Sequence, residues 1–208
     1  MRALLLDFNG TISDDEALLC RIFMELFEEA GRPVTEEEYY DQLAGFSDAE
    51  IVRMWLGRDD PAIVARKIER YGELADGSTV TPEAREAVRH AAERAQLAVV
   101  SGSARAEIEP VLEIADIRDA FTVVVSVEDI RRGKPDPEGY LIALHLLGVD
   151  AGQAAAVEDS EAGVAAAKAA GLYCAAVTTT LPAERLSAAD EIADRFDRDL
   201  IAGLLSRS

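Results

Sequence analysis

Cysteine, histidine and lysine are scarce in this chain of 208 residues, and each scarcity excludes something. Cys20 and Cys174 are the only cysteines, far apart and each within an apolar-rich segment. Two are too few for a disulfide framework or a structural zinc site, so they read as small buried hydrophobes. His90 and His145 have no partner at ligand spacing and read as structural. No apolar run approaches the roughly 18 residues that suggest a membrane span. The N-terminus lacks the basic stretch and cleavage pattern of a signal peptide, so the expected compartment is the cytoplasm. Basic charge is short as well: 21 Lys and Arg face 40 Asp and Glu, a net charge of −19. That field repels a nucleic acid, and no basic run offsets it. Its plain use is solubility.

Only Lys67, Lys134 and Lys168 are lysines, so arginine is the habitual cation and a lysine in a loop stands out. Lys134 is one. The composition is otherwise that of a folded globular protein, 49% hydrophobic and 29% charged. The length suits one full domain with a small insert. Nothing in the sequence reads out the oligomeric state.

Residues 1–8 read as a continuous apolar strand of the kind buried on both faces of a parallel sheet. From Asp14 the period becomes helical, with Leu18, Ile22, Leu26 and Phe27 on one face and Gly31 as the stop. A capping box, Thr35 with Glu38, opens the next helix, and Ser47 and Asp60 cap two more. This stretch, 14–78, carries no strand candidate and reads as a helical insert. Beyond it strands and helices alternate, with strands at "QLAVVSGS", "FTVVVS", "QAAAVEDS", "LYCAAVTT" and a weak "DEIADRF". Such alternation implies right-handed crossovers and a doubly wound parallel sheet. The predicted division is an α/β core of residues 1–13 and 79–208 with an all-helical domain at 14–78.

Ligands in such sheets bind at the carboxyl ends of the strands. Asp7 with "FNGT" stands at the first such end, Ser101, Gly102 and Ser103 at the second, Glu158 and Asp159 at a fourth; "RGKPDP" places Lys134 in a neighbouring loop. Taken singly, each could be a turn former or a helix cap. As a set they fit one chemistry. Asp7 can attack phosphorus as a carboxylate nucleophile. With Glu158 and Asp159 it makes a hard oxygen site suited to Mg²⁺. Gly10 and Thr11 turn the chain so that backbone N–H groups can face a phosphate, and Ser101 and the Gly102 N–H can hold a phosphoryl oxygen. Lys134 offsets the clustered acids and the incoming dianion. This pattern predicts phosphoryl transfer from a small phosphorylated metabolite.

In order, Asp7-Phe8-Asn9-Gly10-Thr11, Ser101, Lys134 within "GKPDP" and "EDSEAG" at 158–163 resemble the four motifs of the haloacid dehalogenase superfamily. The helical insert is similar to the small cap of its phosphoglycolate phosphatase and β-phosphoglucomutase branch. The resemblance implies a Rossmann-like core, a cap that closes over the site, Asp7 as nucleophile and Asp159 as a metal ligand. It also implies that Asn9 binds the metal through its backbone carbonyl and that Glu158 supports the metal.

One residue departs from the pattern. Most phosphatases of that family carry an aspartate at the place of Asn9, where it protonates the leaving group. An amide cannot, and loss of a positioned acid–base group costs about 10²–10⁴ in rate. Three readings stay open here: a phosphatase that is slow or selective for good leaving groups, a hydrolase of carbon–halogen or carbon–phosphorus bonds, and a non-catalytic binder of a phosphorylated ligand. The acidic pair weakens the dehalogenase reading, since halide departure needs no Mg²⁺. Phosphonate cleavage needs a cap lysine, and the one candidate, Lys67, is expected on a solvated helix face. A mutase needs a cap His and an Arg where Leu19 or Cys20 and Asp48 stand. Tyr39, Tyr40, Phe46 and Trp55 are expected in the insert's own core, with a pocket lining as the alternative. The phosphatase reading is the one carried forward.

Overall fold

The computed structural model describes residues 1–207. It contains a six-stranded, all-parallel sheet in the order β3-β2-β1-β4-β5-β6. The strands are β1 (Ala3–Leu6), β2 (Gln96–Val100), β3 (Val123–Val125), β4 (Ala154–Glu158), β5 (Tyr173–Val177) and β6 (Glu191–Ala193). Every residue of β1 is buried, as a central parallel strand requires. Its side chains alternate between the two faces: Leu4 and Leu6 join one apolar cluster, Ala3 and Leu5 the other. Helices α5 (Pro82–Ala92), α6 (Arg105–Ile114) and α9 (Arg198–Leu205) contribute to the first cluster, α7 (Glu138–Leu147) and α8 (Glu161–Ala169) to the second. The sheet is therefore covered on both sides, an α/β Rossmann-like architecture.

The strand order reverses at the boundary between β1 and β4. Successive strands build outward from β1 through β2 and β3, and the chain then returns to the other side of β1 to lay down β4. Loops at the carboxyl ends of these two strands diverge and leave a crevice between them. Asp7 follows β1 directly, and Glu158 is the last residue of β4, so both stand at that crevice.

Four helices lie between β1 and α5: α1 (Glu16–Glu29), α2 (Glu36–Gln42), α3 (Asp48–Leu56) and α4 (Pro61–Leu74). Thr35 and Glu38 exchange the reciprocal bonds of a capping box, and the Asp60 side chain accepts from the Ile63 N–H at the start of α4. The buried stripe of α1 is Leu19, Ile22, Phe23, Leu26 and Phe27, whereas Leu18 is only partly buried. The stripe thus begins one residue later than the sequence reading placed it at its first turn, at Leu19 and not Leu18. Among the described residues no helix is long and apolar enough to cross a membrane.

Candidate active site

Lys134, in the loop before α7, reaches back across the crevice. Its Nζ lies 2.6 Å from Asp7 Oδ1 and 2.6 Å from Glu158 Oε1. Asp7, Glu158 and Asp159 each offer a carboxylate oxygen, all within 4.8 Å of one another, and all three residues are buried. Burial raises the pKa of Glu158 and of Asp159, and the neighbouring carboxylates add to it in both. Burial works against the charge on Lys134, but Asp7 and Glu158 outweigh it and hold the ammonium above its ordinary value.

One ammonium cannot balance three carboxylates. Glu158 Oε1 is further satisfied by the Tyr140 hydroxyl, but Glu158 Oε2 is buried without a hydrogen-bond partner. An orphaned carboxylate oxygen inside an all-oxygen cluster fits a hard divalent cation of the Mg²⁺ type. Two glycines permit the crowding. Gly10 has φ +69°, and a Cβ there would stand 2.0 Å from Asp159 Oδ2; a Cβ on Gly163 would stand 1.9 Å from Glu158 Oε2.

Ser101, Gly102 and Ser103 follow β2 and line the same cavity as Asp7, Asn9, Lys134 and Asp159. Ser101 Oγ accepts from the Ser103 N–H at 3.1 Å, which fixes the loop. Gly10 and Thr11 are not brought to the cavity. The Gly10 N–H donates to the Ser13 carbonyl and the Thr11 N–H to the Phe8 carbonyl, so the turn itself consumes the donors expected to face a phosphate. The Thr11 hydroxyl is buried and unpartnered.

Asn9 is clamped on both sides. Its Oδ1 accepts from the Ser103 hydroxyl at 2.6 Å, and its Nδ2 donates to Asp15 Oδ2 at 3.0 Å. Asp15 escaped the sequence reading because one acid in the run "SDDE" cannot be told from the next before the fold buries it.

The helical insert forms the far wall, with Glu16, Leu19, Phe23, Tyr39, Phe46 and Asp48 among the lining. Tyr39 and Phe46 therefore face the site, while Trp55 donates its indole N–H to the Arg32 carbonyl. Tyr39 donates to Glu16 Oε1 at 2.8 Å, and burial pushes the Glu16 carboxyl up to about 7. Lys67 corrects an expectation: it is not on a solvated face but 0% exposed. Its Nζ lies 2.9 Å from Asp48 Oδ1 and 2.8 Å from Glu107 Oε1. Its two partners explain the difference: Asp48 and Glu107 are both buried, and a buried carboxylate pair demands a cation, which the one lysine of α4 supplies. Burial works against that charge, yet Asp48 and Glu107 keep Lys67 protonated. Only about 40 Å³ remains between insert and sheet edge.

A doubly wound sheet with a carboxylate just beyond its first strand, an acid pair at the end of its neighbour and a bridging lysine is the arrangement that a hydrolase of the expected class requires. The family model for haloacid dehalogenase-like hydrolases matches residues 4–177, and the chain belongs to that family. It is 32% identical over 192 residues to validoxylamine A 7'-phosphate phosphatase of Streptomyces hygroscopicus subsp. limoneus, covering 89% of this chain and 90% of that one. Hexitol phosphatase B of Escherichia coli (strain K12) is 31% identical over 176 residues, covering 81% and 79% respectively. Among solved structures, an aspartate-to-asparagine mutant of CbbY from Rhodobacter sphaeroides, in complex with xylulose-(1,5)bisphosphate, superposes with a TM-score of 0.85. It is 28% identical and covers 98% of this chain and 99% of that chain.

Proposed function

We propose that this chain hydrolyses a phosphate monoester of a small polyhydroxylated metabolite, with Asp7 as the nucleophile. One Asp7 oxygen is bound by Lys134, and the other is the attacking atom. It forms a bond to phosphorus while the bond from phosphorus to the alcohol oxygen breaks, the departing oxygen taking its proton from water; a second water then attacks the aspartyl phosphate, releasing phosphate and regenerating the carboxylate. Ser101 and the Gly102 N–H bind phosphoryl oxygens, and Lys134 balances the charge that accumulates on them. Asp7, Asp159, the Asn9 backbone carbonyl and Glu158 would hold Mg²⁺, which would supply further neutralisation of the phosphoryl group.

The single observation that carries this reading is the contact of Lys134 with Asp7 at 2.6 Å beside two further buried carboxylates. The named relatives support the substrate class, since two are by name phosphatases of a hexitol and of validoxylamine A 7'-phosphate. The ion-paired state of Lys67 speaks against phosphonate cleavage, which needs a neutral amine. A cavity of about 40 Å³ holds water and not a sugar phosphate, so helices α1–α4 act as a cap that must lift to admit substrate.

Asn9 sets the leaving-group preference. It hydrogen-bonds but supplies no proton, so aryl and acyl phosphates, whose leaving groups depart as stable anions, turn over faster than alkyl phosphates. The test is phosphate release from p-nitrophenyl phosphate and from a panel of hexitol and sugar monophosphates, with Mg²⁺ and with EDTA. Activity that needs Mg²⁺ and disappears in Asp7→Asn is expected. Activity that survives both changes would contradict the proposal.

A further inference from the structure

Three donors converge on one oxygen of Asp15. The Asn9 amide nitrogen lies 3.0 Å from Asp15 Oδ2, the Ser13 hydroxyl 2.8 Å and the Tyr71 hydroxyl 2.5 Å. Asp15 is 1% exposed, and its Oδ1 is buried without any partner. It stands where the loop after β1 enters α1, while Tyr71 comes from α4 at the far end of the insert. On the other side of the amide, Ser103 donates to Asn9 Oδ1. An ionised carboxylate accepts hydrogen bonds and donates none, whereas an amide does both. The clamp therefore fixes the amide one way round, nitrogen to Asp15 and oxygen to Ser103.

We propose that Asp15 is a positioning residue matched to Asn9: it demands a donor at position 9 and holds the amide with its second N–H hydrogen available to the cavity. The catalytic consequence rests on the phosphatase reading; the pairing itself does not. A carboxylate introduced at position 9 alone would face the Asp15 carboxylate across the same 3.0 Å. Two acceptors at that distance, shielded from water, oppose each other and leave the clamp without its central hydrogen bond. Asn9 and Asp15 are thus a matched donor–acceptor pair, and the site presents a hydrogen-bond donor, not a proton donor, toward the leaving-group oxygen.

The same geometry says how to reverse the pair. In the double variant Asn9→Asp/Asp15→Asn the donor and acceptor between positions 9 and 15 swap: the amide nitrogen at 15 takes the place of Oδ2 and donates to the carboxylate at 9, Ser13 keeps its bond to the Thr79 hydroxyl, and the Tyr71 hydroxyl loses its acceptor. Net charge is unchanged. Residues in direct contact couple in this way, while independent sites add.

The experiment is a double-mutant cycle on the full chain, read first as thermal unfolding of the EDTA-treated protein. Asn9→Asp alone is expected to lower Tm by about 5 °C or more, and the double variant to regain part of that loss through the restored bond between positions 9 and 15. A soluble double variant beside an insoluble Asn9→Asp counts equally for the pair. If Asn9→Asp is as stable as wild type, or if adding Asp15→Asn restores nothing, the pairing is overturned. The second reading is the ratio of alkyl to aryl phosphate turnover with Mg²⁺. The double variant should raise that ratio by about tenfold or more, within the usual reach of a general acid, and Asn9→Asp alone by much less. An equal rise in the single variant overturns the positioning role of Asp15. Recovery of stability with no hydrolysis by any variant, wild type included, upholds the pair and removes the phosphatase reading instead.

Discussion

Lys134 places its ammonium 2.6 Å from Asp7 Oδ1, a partner 127 residues earlier in the chain. Both side chains are about 10% exposed, so the ion pair sits in a site with little water to screen it. Removing the cation leaves Asp7 and Glu158 buried and opposed. Lys134→Met should therefore cost about 3–5 kcal/mol of stability. It should also reduce turnover by at least about 10² through lost charge stabilisation. Added Mg²⁺ should raise the variant's Tm more than that of wild type, because the metal then carries the neutralisation alone. Denaturant unfolding with and without Mg²⁺ checks this.

Gly163 opens the first turn of α8 beneath Glu158. A methyl there would stand 1.9 Å from Glu158 Oε2. Gly163→Ala should displace the carboxylate and weaken Mg²⁺ binding by about 10–100-fold, the usual effect of disturbing a group that orients a metal site. Calorimetric titration of Mg²⁺ into the variant measures it. Unaltered affinity would remove Glu158 from the metal site.

Lys67 connects α4 to Asp48 on α3 and to Glu107 on α6, so one ammonium joins two helices of the insert to the α/β core. Lys67→Met leaves both carboxylates buried without their cation. A loss of about 3–5 kcal/mol is expected. The double variant Lys67→Met/Glu107→Gln should recover part of it, because the second change removes one of the stranded charges. Chemical denaturation of the two variants beside wild type gives the comparison.

Much of this was legible from residue order alone. The alternation of strands and helices after Val80 fixed the sheet class, and Asp7, Lys134, Glu158 and Asp159 announced themselves by standing at strand ends or in a loop in a chain with three lysines. What escaped was the use made of local polar groups. Lys67 lies in the run "RKIER", whose charges look solvated until the fold turns one of them inward. Gly10 and Thr11 look like phosphate donors because a turn was foreseen, but not that the turn would close on its own N–H groups. Asp15 acquires its meaning only once the fold brings Tyr71, 56 residues away, and the Asn9 amide onto one of its oxygens.

Two carboxyls at the entry to α1 contribute to a pH dependence of stability, in the same direction as Glu107, Glu158 and Asp159, whose pKa values burial also raises. Burial raises Asp15 from 3.8 to about 6, against hydrogen bonds from Tyr71, Ser13 and Asn9, and raises Glu16 from 4.5 to about 7. A folded-state pKa above the unfolded value means that the folded protein holds more protons between the two. The associated stability is complete below about pH 4 and is lost as pH rises through 6 to 7. The metal-free protein should therefore melt several degrees higher at pH 5 than at pH 8. Glu16→Gln should remove one share of the slope nearest pH 7, with Glu107 and Glu158 retaining theirs. Thermal unfolding in EDTA across the range tests the sign.

The central claim is that Asp7 and the neighbouring acids form one phosphoryl-accepting centre with Mg²⁺. Beryllofluoride, which mimics a phosphoryl group on an aspartate, probes it without any substrate, through the fluorine resonances of the bound species. Wild type with Mg²⁺ should show bound resonances that vanish with EDTA and are absent from Asp7→Asn. A folded wild-type protein that captures no beryllofluoride in saturating Mg²⁺, or captures it equally well in Asp7→Asn, would contradict the account.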